Sequence, residues 1–228
     1  MISFIKNEPA IKLGDSLVIA DLHLGISYEL ESRGILVPKQ KDIFLKRIKK
    51  LVGLTRAKRL IVLGDLKHAV PGTPYDEREE LRDFYEQLKK LVKEIILIKG
   101  NHDSLIEEII PELSVVEDLV VGDFILTHGN RKVKAEGKTI IGSHIHPSVK
   151  LKDKIGSIYI QRCWLRDSES KVIVVPAFNE LVGGKNVNES VSEDYLGPIA
   201  KQLNPKSTHV ILLDGRDLGT IQSLKLKK

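Results

Sequence analysis

Apolar residues occur along the chain in short runs that end at Gly, Asp, Asn or His. The clearest run is Glu94–Lys99, which is followed by Gly100 and by Asn101-His102-Asp103. A continuous apolar run of this length is typical of a strand that is buried on both faces. Polar side chains directly after such a strand lie where open α/β sheets bind ligands. The same arrangement recurs four more times, which indicates that several strands carry polar groups to one site.

The first half of the sequence alternates predicted strands with predicted helices. A hairpin is expected over Ala10–Leu13 and Ser16–Ala20. Between Lys39 and Val52 the apolar residues follow helical spacing, and Arg59–Leu63 is the next strand. We expect Ile26–Pro38 to be irregular, because its residues follow neither period.

A second amphipathic helix is expected after the Pro- and Gly-containing loop Val70–Asp76, with its Glu and Lys residues facing solvent. A short helix is expected near Ser104–Ile110, ahead of Pro111.

The second half predicts strands in succession and few helices. The predicted strands are Val115–Val121, Phe124–Leu126, Thr139–Ile141, Ile155–Gln161, Lys171–Val175, Thr208–Leu213 and Leu218–Leu224. Residues Leu181–Ser207 are rich in Gly, Asn, Ser, Glu and Lys, and we expect a long surface connection there, with one helical turn around Ile199–Leu203. Cys163 and Trp164 are expected to pack at a strand end.

Composition is that of a soluble globular protein, with 42% apolar and 29% charged residues among 228. We expect a single domain over residues 1–228. One cysteine excludes an intrachain disulfide and favours a reducing cytoplasm. The sequence shows neither a signal peptide nor a membrane span. The net charge of +5 favours anionic partners only mildly.

Histidines are concentrated after the predicted strands, next to carboxylates and an amide. Six of the seven histidines lie there. The candidate ligands and catalytic groups are Asp21, His23, Asp65, His68, Asn101, His102, Asp103, His128, His144 and His146. Imidazole and oxygen donors without thiolate suit Mn, Fe, Co, Ni or Zn. These groups are too many for one ion, and two adjacent ions need a bridging group such as a carboxylate.

The order of these motifs resembles that of the calcineurin-like metallophosphoesterases. The matching segments are Asp21-Leu22-His23, Gly64-Asp65-Leu66-Lys67-His68, Gly100-Asn101-His102-Asp103, His128 and Ser143-His144-Ile145-His146. Ser143 stands where the family usually has Gly. His68 stands where many phosphatases have Asp and is similar to the SbcD-type nucleases. Segments Val174–Gly184 and Leu213–Gly219 are similar to an archaeal SbcD-related group and to a bacterial phosphoesterase associated with DNA ligase.

The resemblance implies an α/β fold, a four-layer αββα sandwich with two mixed sheets. It also implies two divalent ions, with Mn²⁺ preferred. Asp21, His23, Asp65 and His146 would hold one ion, and Asp65, Asn101, His128 and His144 the other. His102 would protonate the leaving oxygen and Asp103 would orient that imidazole. His68 would lie near the substrate or leaving group, with a purely supporting role as the alternative. The implied reaction is in-line attack of metal-activated hydroxide on a phosphoester.

The substrate is left open by the sequence. A phosphodiesterase fits best, and a link to nucleic-acid repair follows from the resemblance. The alternatives are an SbcD-type nuclease acting on DNA or RNA and a catalytically weak scaffold of the same fold. A phosphomonoesterase is less favoured, because the sequence shows no second Arg-rich clamp for a dianionic phosphate near the motifs. Arg131 is the nearest candidate for such a clamp, and a simple loop charge is the alternative. Self-association is left open, and no membrane partner is expected.

Overall fold

Two β-sheets and four α-helices make up the regular structure of residues 2–190 and 192–225, which are those that the computed structural model describes. Residues 1, 191 and 226–228 belong to the predicted domain 1–228 but lie outside the described residues. The helices are α1 (Ile26–Ser32), α2 (Gln40–Thr55), α3 (Tyr75–Lys89) and α4 (Ile106–Ile109). Within the described residues, no helix has the length and apolar character that crossing a membrane requires.

Six strands form the first sheet, and their spatial order follows the chain. They are β1 (Ile2–Phe4), β2 (Ile11–Leu13), β3 (Ser16–Ile19), β4 (Arg59–Leu63), β5 (Glu94–Ile98) and β6 (Ser114–Val116). Strands β1 to β3 pair antiparallel, whereas β3 to β6 pair parallel. The parallel strands β3, β4 and β5 therefore end at the same edge of the sheet.

The second sheet is also mixed. In spatial order its main strands are β13 (Lys185–Asn186), β10 (Pro147–Lys152), β11 (Ile158–Asp167), β12 (Val172–Val174), β9 (Thr139–Gly142), β8 (Phe124–Thr127) and β7 (Asp118–Val121). Two further strands, β14 (Thr208–Leu212) and β15 (Asp217–Thr220), extend from β11. Strands β8, β9 and β12 are parallel neighbours, so β8 and β9 also end on one side.

Alternate residues of the central strands point to opposite faces, and both faces are buried. In β4, Leu60 and Val62 belong to the core beneath α2 and α3, whereas Ile61 and Leu63 belong to the core between the two sheets. The second sheet contributes to that middle core Leu126, Ile141, Trp164, Ile173 and Val175. The predicted class, an α/β fold with two mixed sheets in layers, is confirmed.

The outer face of the second sheet is covered by the connection that follows β13. Its side chains Val187, Tyr195, Ile199 and Leu203 are buried against that face. The connection contains two short 3-10 helices, Ser192–Asp194 and Ala200–Gln202. The helical turn expected around Ile199–Leu203 is confirmed by the second of these 3-10 helices. The expectation that residues Leu181–Ser207 lie on the surface is wrong, because part of the connection supplies the apolar cover that the sheet needs on this side.

Several predicted boundaries also differ from the structure. Part of the segment Ile26–Pro38, which was expected to be irregular, forms α1. Gly25 precedes this helix and has a left-handed backbone conformation, and Ile26 in its first turn is buried. Strand β11 begins at Ile158 and continues to Asp167, so Cys163 and Trp164 lie within it and are fully buried. Trp164 packs in the core between the sheets, whereas Cys163 packs beneath the cover of the outer face, so burial within the strand rather than a strand end determines their environment.

Three further differences concern the strands themselves. Strand β10 was missed, because Ser148, Lys150 and Lys152 interrupt its apolar residues. The predicted strand Val115–Val121 is divided between β6 and β7, which belong to different sheets. The last predicted strand ends at Thr220, where a turn follows.

Candidate metal centre

The predicted site residues lie together where strand ends of the two sheets meet. Asp21, Asp65 and Asn101 follow β3, β4 and β5 of the first sheet. His128 follows β8, and the segment that starts at His144 follows β9, both in the second sheet. Because parallel strands end at a common edge, residues far apart in sequence converge.

The first group of potential ligands consists of Asp21, His23, Asp65 and His146, whose donor atoms all lie within 4.8 Å of one another. Nε2 of His23 is 3.4 Å from Nε2 of His146 and 3.6 Å from Oδ2 of Asp65. Nε2 of His146 is 3.6 Å from Oδ1 of Asp21. These separations are too long for good hydrogen bonds, and they suit donors that surround one cation.

The second group consists of Asp65, His128 and His144, also within 4.8 Å. Nε2 of His128 is 3.3 Å from Oδ2 of Asp65 and 3.0 Å from Nδ1 of His144. The amide oxygen of Asn101 lies 3.2 Å from the same Nε2 atom. Asp65 belongs to both groups, which is the position that a bridging carboxylate requires.

Backbone carbonyls set the orientation of two of these imidazoles. Nδ1 of His128 donates to the carbonyl of Leu63 at 2.9 Å, and Nδ1 of His146 donates to that of Gly183 at 2.9 Å. In each ring Nε2 is then free to face the other ligands, as in metal-binding histidines whose second nitrogen is hydrogen-bonded.

Backbone strain is concentrated in the same residues. Five of the proposed ligands adopt a positive φ, which side chains other than glycine rarely do: Asp21, His23, Asp65, His144 and His146, at 52°, 44°, 50°, 74° and 45°. Such conformations cost about 1–3 kcal/mol each and persist where the surrounding structure enforces them, often at functional sites.

Electrostatics at the site are dominated by burial and by the two carboxylates. Burial lowers the pKa of His23 to about 3 and that of His144 to about 4. Burial also opposes the charged ring of His128, but its contact with Asp65 and the charges of Asp21 and Asp65 outweigh this and raise its pKa to about 9. Burial opposes the charge of Asp65 as well, yet His128 and His23 hold its pKa well below the usual range.

Asp21 provides the test of whether these residues fit a metal ion. Its side chain is fully buried, and neither carboxylate oxygen has a hydrogen-bond partner among the described residues. A buried carboxylate without partners is costly unless a cation compensates its charge. The residues therefore fit a binuclear divalent metal centre.

His102 and His68 lie beside the two ligand groups. The rings of His102 and His23 are 4.8 Å apart, and Nδ1 of His102 donates to the carbonyl of His68 at 2.6 Å. Nδ1 of His68 lies 3.3 Å from Nδ1 of His23, and its Nε2 lies 2.6 Å from a carboxylate oxygen of Glu29.

Asp103 does not contact His102 as expected. It is fully buried, and its oxygens accept hydrogen bonds from the backbone N–H groups of Asp65, Leu66 and Gly100 at 2.8 Å and of Lys67 at 3.3 Å. Burial and the charge of Asp65 raise its pKa to about 6. These contacts favour a role for Asp103 in holding the loop that carries Asp65 over the orienting role expected from the sequence.

Three charged residues near the site were missed by the sequence analysis. Glu29 lies on α1, which was expected to be irregular. Glu77 is buried at the start of α3, where Glu residues were expected to face solvent, and Lys67 is buried within a recognised motif. Charged residues on an amphipathic helix give no sequence signal of burial, since their usual position is in solvent.

A cavity of about 490 Å³ opens over the site. Its lining includes His23, Asp65, Asn101, His102, His144 and His146, together with Lys185 and Leu196. The cavity therefore gives a ligand access to both groups of potential metal ligands.

Comparison with known proteins gives a family and a fold. The sequence profile described as calcineurin-like phosphoesterase matches residues 16–210. The crystal structure of the Pseudomonas putida nuclease MPE is similar, with a TM-score of 0.63 and 21% identity over 96% of this chain and 99% of that one. YfcE, a phosphoesterase from E. coli, aligns with a TM-score of 0.42 and 16% identity over 90% of this chain and 96% of that one. A comparison with curated protein sequences gives no significant match.

Proposed function

This chain belongs to the calcineurin-like phosphoesterase family, and we propose that it is a two-metal phosphodiesterase. The observation that carries the proposal is the pair of ligand groups that share Asp65. Manganese is the ion we propose on the basis of the resemblance, and imidazole and oxygen donors without thiolate suit it as they suit Fe, Co, Ni or Zn. When bound, the two ions lower the pKa of a coordinated water and neutralise the charge of the phosphate.

The roles of the protein groups follow from their contacts. Asp21, His23, Asp65 and His146 would hold one ion, and Asp65, Asn101, His128 and His144 the other. His102 lines the cavity and would donate a proton to the leaving oxygen from Nε2, since its Nδ1 is bonded to the carbonyl of His68.

His68 would support the ligand His23, whose Nδ1 it faces. Asp103 would hold the loop that carries Asp65 through its hydrogen bonds to the backbone and would not contact the substrate.

A diester fits the charges of the cavity better than a monoester. Of the described residues that line the cavity, Lys185 is the only lysine or arginine. Arg131, the expected clamp for a dianionic phosphate, is paired with Asp118 at 3.0 Å and with Glu117 at 3.0 Å. A monoester dianion would lack a second cationic side chain, whereas a diester monoanion needs less compensation.

A nuclease is the second candidate. His68 stands where many phosphatases have Asp, and this histidine is similar to that of the SbcD-type nucleases. The net charge of +5 favours binding of a polyanion such as a nucleic acid. MPE is described as a nuclease, and its chain is covered over 99% of its length. A fold of this size is therefore sufficient for a nuclease, and a repair-linked role is compatible with it.

The test is hydrolysis by the metal-stripped protein to which Mn²⁺ is returned. We expect release of p-nitrophenol from bis(p-nitrophenyl) phosphate, weaker release from p-nitrophenyl phosphate, and loss of both in Asp65→Asn together with bound metal. Degradation of end-labelled single-stranded DNA would assign the nuclease. A wild type that binds neither Mn²⁺ nor Zn²⁺ and hydrolyses none of these substrates would overturn the proposal and support the scaffold.

A further inference from the structure

We propose that Lys67 and Glu77 position the imidazole of His102 by holding the backbone of residues 68–72. The inference rests on the proposed function, in which His102 is the proton donor. Lys67 and Glu77 do not reach the reacting atoms in this assignment; they act through the main chain that His102 contacts. They are therefore positioning residues.

The first step is the bond that fixes the ring. Nδ1 of His102 donates to the carbonyl oxygen of His68 at 2.6 Å. An imidazole whose Nδ1 proton is held in this way exchanges protons with a substrate through Nε2. The position of the ring then depends on the position of one backbone carbonyl.

The second step is how that backbone is held. Oε1 of Glu77 accepts the N–H of His68 at 2.7 Å and the N–H of Ala69 at 3.0 Å. Nζ of Lys67 donates to the carbonyls of Ala69 and of Gly72, the latter at 3.0 Å. Both polar groups of Ala69 are therefore bound by charged side chains, on the residue next to the carbonyl that His102 uses.

The third step is the cost of this arrangement. Lys67 is fully buried and Glu77 is 1% exposed. Burying two charged groups is expensive, and here their hydrogen bonds go to the backbone of one short segment. The chain also leaves room for Glu77: Gly25 has a φ of 99°, and a Cβ atom there would lie 2.5 Å from the Glu77 carboxyl carbon. Uncharged side chains could stabilise the backbone of residues 68–72 at a lower desolvation cost. The use of two buried charges therefore favours a role in positioning His102.

The first experiment observes the imidazole of His102 directly by NMR in the Zn²⁺-loaded 228-residue protein. The Nδ1–H resonance of His102 is assigned by its loss in His102→Ala. We expect it to shift or to exchange rapidly in Lys67→Met and Glu77→Leu. It should be retained in Glu77→Gln, because the amide oxygen can still accept both N–H groups.

Asp167→Asn is the matched control for loss of a buried charge, since Asp167 accepts hydrogen bonds from residues of the second-sheet region: Glu169, Ser170, Asn204, Ser207 and Thr208. This control should leave the His102 signal unchanged. An unchanged signal in both Lys67→Met and Glu77→Leu would overturn the proposal. If Glu77→Leu does not fold, Lys67→Met, which keeps most of the side chain's volume, decides alone.

The second experiment uses two diesters that differ in their need for a proton. An alkoxide leaving group requires protonation, whereas p-nitrophenolate leaves readily without it. We expect kcat of Glu77→Leu to fall about 10-fold or more with the alkyl ester and less than about 3-fold with bis(p-nitrophenyl) phosphate, at unchanged metal content. Equal losses with both would overturn the proposal. A wild type inactive on both would refute the proposed function instead, and the NMR comparison would still decide the positioning role.

Discussion

Asp103 contributes to the site by shaping the loop between β4 and α3. Its two oxygens accept the backbone N–H groups of Asp65 and of the two residues that follow it, and that of Gly100 on the neighbouring loop. Because the Asp103 carboxylate is fully buried, water cannot replace it as the hydrogen-bond acceptor for these N–H groups. The position of Asp65, which belongs to both ligand groups, therefore depends on a neighbour that is not a ligand.

Replacement Asp103→Asn is expected to destabilise the metal-free protein by about 3 kcal/mol, because an amide nitrogen would face backbone donors and leave them unpaired. Urea unfolding of wild type and variant, both stripped of metal, measures the difference. A variant that keeps its stability but loses hydrolysis would instead favour the direct orienting role expected from the sequence.

Gly100 is needed for close approach of β5 to Asp65. A Cβ atom at this position would lie 2.2 Å from Oδ1 and 2.5 Å from the backbone nitrogen of Asp65. Gly100→Ala should cost about 1–3 kcal/mol of stability and weaken metal binding, because Asp65 must move. Gly53→Ala is the control: it lies in α2 with nothing within 4 Å of its Cβ, and it should stabilise by up to about 1 kcal/mol. Thermal melts and bound-metal analysis distinguish the two.

The residues of the site differ in how well their sequence reveals them. Asp21, Asp65 and Asn101 follow apolar strands, where burial makes a polar residue conspicuous, and the structure brings them together as expected. Glu29, Lys67 and Glu77 lie among many other charged residues, and only tertiary packing identifies the ones that are buried or in contact with a histidine. Their contacts join helix α1, helix α3 and the loop after β4, which no local pattern specifies.

At the scale of elements, strands with continuous apolar runs were predictable and strands with mixed composition were not. After the first residue of each strand, the residues of β3, β4 and β5 alternate between two buried faces and are all apolar. Strand β10 pairs with β11 over exposed residues such as Tyr159 and Ile160, and its own polar positions hide the pattern. The cover of the second sheet was missed because irregular segments have no periodicity.

Asp167, at the end of β11, fixes this cover to the sheet. It accepts the N–H of Asn204 at 3.0 Å and the hydroxyls of Ser207 and Thr208 at 3.0 Å. Burial alone would raise the pKa of Asp167, but these and other hydrogen bonds outweigh it and lower the pKa. A carboxylate with a lowered folded-state pKa stabilises the fold above its unfolded pKa, about 3.9, and loses this contribution as the pH falls through its folded value.

Asp167→Asn should therefore be less stable than wild type by about 2 kcal/mol at pH 7, with a difference that shrinks below about pH 4. Urea unfolding of both proteins between pH 3 and pH 7 provides the measurement. A difference that is independent of pH would show that the charge of Asp167 does not contribute.

At the scale of the whole molecule, the candidate metal centre lies where the two sheets are joined. Hydrogen bonds already cross there: the carbonyl of Leu63 in β4 accepts from His128 at 2.9 Å and from the hydroxyl of Ser143 at 2.8 Å. The proposed ligands also come from both sheets, with Asp21 and Asp65 from the first and His128 and His146 from the second. Bound cations would connect the sheets and relieve the repulsion between the two buried carboxylates.

Removal of metal should therefore lower the stability of the whole protein as well as its activity. Ions that bind only the folded state add about 2.7 kcal/mol per site when present at 100 times their dissociation constant. We expect a chelator to lower the melting temperature of the wild type and Mn²⁺ to restore it. Asp65→Asn should melt at the same temperature with and without chelator, since it lacks the shared ligand. A wild type whose melting temperature does not respond to chelator, although its bound metal is lost, would show that the ions do not link the sheets; the site would then be held by hydrogen bonds such as those to Leu63 alone.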